Sequence, residues 1–140
     1  IAPEVALGEG EVGPAADLYA LGCVAYWLLT GRLVFDADSA TAMLVKHAGE
    51  APVPPSRRTE LEIPEALEQL VMRLLDKKPA NRYASAAALR RAIEETGLAN
   101  AWTPERAQRW WDKNLPPGQR PTPPPRGEAD ERRVTLLRPR

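Results

Sequence analysis

The sequence has one cysteine, one histidine and no net charge, with 19 basic residues against 19 acidic ones in 140. Each scarcity excludes something. A lone Cys23 leaves no disulfide within the chain, and in its apolar run it reads as a small core residue rather than a reactive thiol. The lone His47 has no Cys, His or carboxylate cluster at metal-ligand spacing around it. It lies on an apolar stripe, so we read it as a packed or capping side chain. Balanced charge removes the whole-chain electrostatic argument for a nucleic-acid partner. No apolar run reaches the about 20 residues that cross a bilayer. The chain opens Ile1-Ala2-Pro3-Glu4, without a methionine, a basic leader or a signal-like apolar core. We therefore expect an incomplete sequence in a cytoplasmic setting.

What the sequence does have is one very apolar helix. Asp17 to Thr30 is apolar on nearly every side, with a single carboxylate near its start. A helix of that kind should be buried all round. Pro14 suits the first turn, and Gly31 is a natural stop. Little chain precedes this helix to bury it. Asp17 needs a partner if it is buried.

The remaining helices are ordinary amphipathic ones. Ala2-Pro3-Glu4-Val5 begins a short helix, and glycines then punctuate the connection to Pro14. Ser39 is an N-cap for a helix with Ala40, Met43, Leu44 and His47 on one face. Ala51 to Ser56 is extended, because its prolines fix φ and restrict their predecessors. Arg57 and Arg58 read as solvated surface. Pro64 fits the first position of the next helix, whose stripe is Leu67, Leu70, Val71, Leu74 and Leu75. Its early Glu65 and Glu68 and the trailing Lys77 and Lys78 match the helix dipole. Ser85 caps a fourth amphipathic helix, with Leu89 and Ile93 on its apolar face and Gly97 just past its end.

The C-terminal part changes in kind. Thr103-Pro104-Glu105 is a helix start, and Trp102, Trp110 and Trp111 would expose much apolar surface unless they dock on something, for which the helical domain is the expected surface. From Leu115 the chain is proline-rich, and we read it as a disordered or tethered tail. The expected organisation is a helical domain over 1–96, a Trp-rich helical extension over 97–114 and a proline-rich flexible tail over 115–140.

Short motifs in a fixed order add a resemblance. Ala2-Pro3-Glu4 resembles the APE motif that closes a protein kinase activation segment. Asp17-Leu18-Tyr19-Ala20-Leu21-Gly22 resembles the D-x-[WY]-x-x-G signature of the central helix in the kinase C-terminal lobe, and Leu29-Thr30-Gly31-Arg32 the turn that ends it. Lys77-Lys78-Pro79-Ala80-Asn81-Arg82 looks like the K-x-P-x-x-R stretch before the last lobe helix. His47 to Ser56 is similar to the H-x4-P-x-P-P-S segment of bacterial serine/threonine kinases. One departure is Leu33-Val34-Phe35, where the family often has proline and phenylalanine. The resemblance implies a mainly α fold, the partial helical C-terminal lobe of a protein kinase, over roughly residues 1 to 96.

Roles follow from the resemblance, residue by residue. It implies that Glu4 pairs with Arg82, tying the end of the activation segment to the far side of the lobe. It implies that Asp17 accepts hydrogen bonds from the catalytic-loop backbone and that Tyr19 packs near the APE segment. Gly22 completes the central-helix signature. Val24 and Leu28 match positions that support the apolar column under the adenine. The surplus apolar surface of the central helix is then what the preceding catalytic elements cover.

The family's ATP-binding and catalytic motifs are not in these residues. There is no G-x-G-x-x-G, no H-R-D and no D-F-G, and phosphoryl transfer needs a phosphate clamp, positioned Mg²⁺ and a residue orienting the hydroxyl. The expectation is part of an ATP- and Mg²⁺-dependent serine/threonine kinase that alone binds no ATP or metal and has no catalytic residue of its own. Expected partners are the preceding part of the same kinase, protein substrates and a ligand for the Trp- and Pro-rich tail. The alternative is a pseudokinase or split-gene remnant that acts as a helical interaction module.

Overall fold

A computed structural model describes residues 1–8, 12–98 and 102–119. It divides the chain into two compact units, Ile1–Ala101 and Trp102–Arg140. The described residues are mainly α-helical and contain no strand.

In the first unit the elements are α1 (Pro3–Leu7), α2 (Pro14–Thr30), α3 (Ala40–Gly49), α4 (Glu65–Leu74) and α5 (Ala86–Glu95). Single 3-10 turns at Pro55–Arg57 and Pro79–Asn81 lie on either side of α4. Local chemistry sets most boundaries. The Ser39 and Ser85 hydroxyls accept from the third backbone N–H beyond them, at Ala42 and Ala88. Pro14 occupies the first turn of α2, and Gly31 ends that helix at φ 67°, a left-handed conformation that glycine adopts without strain. One boundary differs from expectation. Pro64 is the N-cap of α4 rather than its first helical residue, with ψ at 131°. The helical hydrogen bonds therefore begin from the Pro64 carbonyl, which accepts from Leu67 and Glu68.

α2 organises the packing. On one side Tyr19 and Tyr26, both fully buried, join Ala2, Phe35, Val71 and Leu75. On another, Leu18 joins Leu70, Leu74, Tyr83 and Leu89. α1 packs on α3, and α2 packs on α4. α2 and α4 approach closely at Gly22, where an added Cβ would lie 2.8 Å from the Leu74 Cβ.

Two apolar faces are narrower than expected. On α5, Ile93 is exposed, and Ala88 and Ala92 pack beside Leu89 in its place. The face that meets α4 is therefore rotated toward the smaller residues. Leu44 of α3 is likewise at the surface. On α3 the inward positions are Met43, which packs on the core, and His47.

In the second unit, α6 (Pro104–Asn114) starts as expected, with the Thr103 hydroxyl accepting from the Arg106 N–H. Trp110 and Trp111 meet edge to face at 4.9 Å between centroids, and the Arg106 guanidinium lies over the Trp102 ring. All three tryptophans are about half exposed. A short 3-10 turn at Pro117–Gln119 falls within the stretch read as linker. The rest of that proline-rich stretch, from 120 on, lies outside the described residues.

Candidate functional site

The motif residues meet at the buried guanidinium of Arg82. This side chain sits at the end of the 3-10 turn Pro79–Asn81, and the residue is 2% exposed. An arginine brings five N–H donors in a fixed planar fork, and here each group finds acceptors. Nε donates to the Asp76 carbonyl at 2.9 Å. One terminal nitrogen donates to Glu4 Oε1 at 2.8 Å and to the Ala15 carbonyl at 2.7 Å. The other donates to Glu4 Oε2 at 2.8 Å and to the Lys77 carbonyl at 3.4 Å. One side chain thus fastens α1, the first turn of α2 and the loop after α4. The Arg82 hydrogen bonds hold the Glu4 carboxyl below its ordinary pKa.

The loop that presents Arg82 is itself braced. Asp76 accepts from the Lys78 backbone N–H and from the Asn81 side-chain amide. Arg73 Nε donates to the Asn81 carbonyl, and its guanidinium lies 4.3 Å from the centroid of Tyr83. Such local bonds fix the backbone before the long side chain is placed.

Tyr19 lies beside the same centre, with the Arg82 guanidinium 4.9 Å from its ring centroid. Its hydroxyl shares a 2.8 Å hydrogen bond with His47 Nδ1. Phe35 meets the His47 ring edge to face at 5.0 Å. Burial pushes the Tyr19 hydroxyl well above its ordinary pKa and the His47 ring down to about 4. His47 is therefore neutral near pH 7. The single histidine is a packed core side chain.

Lys77 matches the dipole of its own helix and opens the K-x-P-x-x-R stretch, but neither pattern names its contacts. Its ammonium donates to the His47 carbonyl at 2.8 Å, at the end of α3, and stands 4.4 Å from the Phe35 ring centroid. Desolvation lowers its pKa. No sequence pattern pairs a lysine with a helix end 30 residues earlier in the chain.

Asp17, Val24 and Leu28 are not part of this buried centre. They share one face of α2 with Leu21, and that face is open. Leu21 is 47% exposed, Val24 53% and Leu28 70%. Helical spacing explains the grouping, since steps of three, four and seven residues return to one side. The expectation that α2 is buried on every side therefore fails among the described residues. Two faces are covered by α1, the loop around Phe35, α4 and α5, and the third has no partner among the described residues.

No group of three His, Cys, Asp or Glu among the described residues is placed to hold a metal ion. No helix among them is long and apolar enough to cross a membrane.

Comparison with known proteins agrees with the motifs. Residues 1–92 match the family model described as protein kinase domain. Serine/threonine-protein kinase Pkn1 of Myxococcus xanthus is 50% identical over 94 residues, which is 67% of this chain and 13% of the relative. Serine/threonine-protein kinase PknB of Mycolicibacterium smegmatis is 47% identical over 90 residues, 64% of this chain and 14% of the relative. Serine/threonine-protein kinase PksC of Streptomyces coelicolor is 46% identical over 90 residues, 64% and 16% respectively. The chain thus spans a small part of the length of these relatives. With the matched residues carrying the Glu4–Arg82 clamp, α1 to α4 and most of α5, the chain belongs to the protein kinase domain family, in its bacterial serine/threonine branch.

Proposed function

We propose that residues 1 to 96 form the lower part of the catalytic lobe of an ATP-dependent protein serine/threonine kinase, followed by a helical extension over 97–114 and a proline-rich tail over 115–140. The part given by this chain scaffolds the catalytic loop and contributes to protein-substrate docking; it does not carry the chemistry. The observation that supports this most is the open face of α2. Asp17, Leu21, Val24 and Leu28 line one side of a helix whose other sides are packed. A carboxylate beside an apolar stripe suits a loop that offers backbone N–H donors above apolar side chains.

In this reading Asp17 accepts hydrogen bonds from the catalytic-loop backbone, and Val24 and Leu28 support the apolar column beneath the adenine. Glu4, Arg82 and Tyr19 hold the end of the activation segment against the lobe, and Gly22 lets α2 and α4 approach. ATP and Mg²⁺ serve the family's phosphoryl transfer. The sequence has no G-x-G-x-x-G, H-R-D or D-F-G motif, and no metal-ligand cluster is found among the described residues; in this reading the nucleotide and its metal are held by another part of the kinase and the 140 residues alone are inactive.

A chimera tests the proposal. Residues 1–92 replace the matching segment of Myxococcus xanthus Pkn1, and phosphorylation of a protein substrate is measured. The expected result is an active chimera whose kcat falls at least about tenfold on Asp17→Ala. A folded chimera that binds ATP but transfers no phosphate overturns it. For the isolated chain, calorimetry with Mg²⁺ and ATP should show no saturable heat.

A further inference from the structure

Arg57 and Arg58, read from the sequence as solvated surface, converge on one cleft with Arg32, the last residue of the turn motif after α2. Arg32 follows the glycine that ends α2, and Arg57 and Arg58 sit at the end of the 3-10 turn Pro55–Arg57. Together with Thr30 and Thr59 they line a shallow cleft of about 560 Å³. Arg32 and Arg58 also line an adjoining cleft with Leu33 and Asp36.

The backbone under each arginine is fixed. The Arg32 N–H donates to the Thr30 hydroxyl at 3.1 Å, and that hydroxyl donates to the Tyr26 carbonyl at 2.8 Å. The Arg57 and Arg58 N–H groups donate to the Pro54 and Pro55 carbonyls. Pro55 is fully buried, and the next residue, Ser56, donates its N–H to the Glu68 carboxylate. The Leu61 N–H donates to the Thr59 hydroxyl. Only the long side chains are left to move. None of the three guanidinium groups forms an ion pair within 4.0 Å among the described residues; the three ion pairs found there involve other cations. Glu60 is the one carboxylate that lines the larger cleft. Burial leads the upward shift of the Tyr26 hydroxyl, with the charges of Arg58 and Arg32 opposing it and that of Glu68 adding to it.

Planar guanidinium groups recognise phosphate oxygens in pairs. The Thr59 hydroxyl accepts from the Leu61 N–H and keeps its own proton as a neutral donor, whereas the Thr30 proton is held by the Tyr26 carbonyl. A phosphomonoester carries a second pKa near 6 and so presents a dianion with three acceptor oxygens at neutral pH. We propose that Arg32, Arg57 and Arg58 form a binding site for the phosphomonoester of a phosphorylated serine or threonine side chain in a peptide. Arg58, the least exposed of the three, lines both clefts and is the central contact. Glu60 and Asp36 act against the anion and keep the site weak and reversible. The site uses none of the residues Asp17, Leu21, Val24 and Leu28 that carry the kinase scaffold reading, so it does not depend on that reading.

The test uses the full 140-residue chain and a short uncharged peptide bearing one phosphothreonine. Binding is followed by fluorescence polarisation at pH 7.5, beside the unphosphorylated peptide and inorganic phosphate as competitor. We expect saturable binding of the phosphopeptide only, weakened about tenfold by Arg58→Gln or Arg32→Gln and tightened several-fold by Glu60→Gln. The opposite signs of the arginine and glutamate variants separate the proposal from misfolding, and circular dichroism checks each variant. Equal binding of both peptides, equal binding by Arg58→Gln, or no saturable binding overturns it. Displacement by inorganic phosphate at equal concentration assigns the cleft to free phosphate and overturns the peptide ligand.

Discussion

Glu4 and Arg82, 78 residues apart in sequence, meet through two hydrogen bonds of 2.8 Å, one to each carboxylate oxygen. The same guanidinium also reaches carbonyls of Ala15, Asp76 and Lys77. The pair is thus a junction of three chain segments rather than a single ion pair.

Removing one partner of a buried pair strands the other, at about 3–5 kcal/mol. Arg82→Ala should lower stability by that order, measured by urea unfolding of the chain. Arg82→Lys should recover less than half of the loss. A lysine has three donors on one nitrogen and cannot span both Glu4 oxygens and three carbonyls. Full recovery by lysine would show that charge, and not the fork, is what matters.

Gly22→Ala tests the crossing of α2 and α4. The new Cβ would lie 2.8 Å from the Leu74 Cβ and 3.3 Å from the Leu74 backbone carbon. Helix propensity alone favours alanine by about 1 kcal/mol. Overpacking costs about 1–3 kcal/mol and should win, so the variant should melt lower. A raised Tm would mean that the two helices part without cost.

The buried histidine sets a pH dependence. His47 has a folded-state pKa of about 4 against an ordinary 6.5. The unfolded chain therefore takes up a proton first, and stability falls as pH drops below 6.5, levelling off near 4. The loss from this group is about 3 kcal/mol at most. Glu4 acts lower on the scale. Its carboxyl is held below 4.5 by Arg82, so its contribution is complete above 4.5 and is lost as pH falls through the folded value. Urea midpoints for His47→Gln should be nearly flat between pH 6.5 and 5, whereas the native chain should slope. Parallel curves would remove His47 as the cause.

The open face of α2 yields opposite results in two settings. Val24→Asp and Leu28→Asp replace exposed side chains, so each should change the stability of the isolated chain by less than about 0.5 kcal/mol. In the Pkn1 chimera each should abolish phosphoryl transfer, because a charge would be buried without a partner. Equal tolerance in both settings would mean that nothing covers this face.

Much of the fold was legible because local chemistry sets it. Ser39, Ser85 and Thr103 cap their helices, Gly31 ends α2, and the Leu70-Val71-Leu74 stripe faces inward. Long-range polar contacts were legible only where a motif supplied them, as for Glu4 with Arg82. The link from Lys77 to the end of α3 has no local pattern, because it depends on how two helices cross. The same holds for the arginine cleft, which joins the turn after α2 to a loop 25 residues later. The exposed side of α2 was misjudged from apolarity alone. Hydropathy states that a surface requires cover, not whether the cover belongs to the same stretch of chain.

The span of the Arg82 junction also sets an order of events during synthesis. A five-residue helix such as α1 is too short to hold itself together in water. Its Glu4 leaves the ribosome 78 residues before Arg82, an interval of about 4–16 s at typical elongation rates. During that time α1 has no clamp, and the apolar faces of α2 wait for α4, which is made only near the end of the interval, and for α5, which follows Arg82. The nascent segment is then a natural client for a holding chaperone, and release should coincide with translation of the Asp76 to Tyr83 loop.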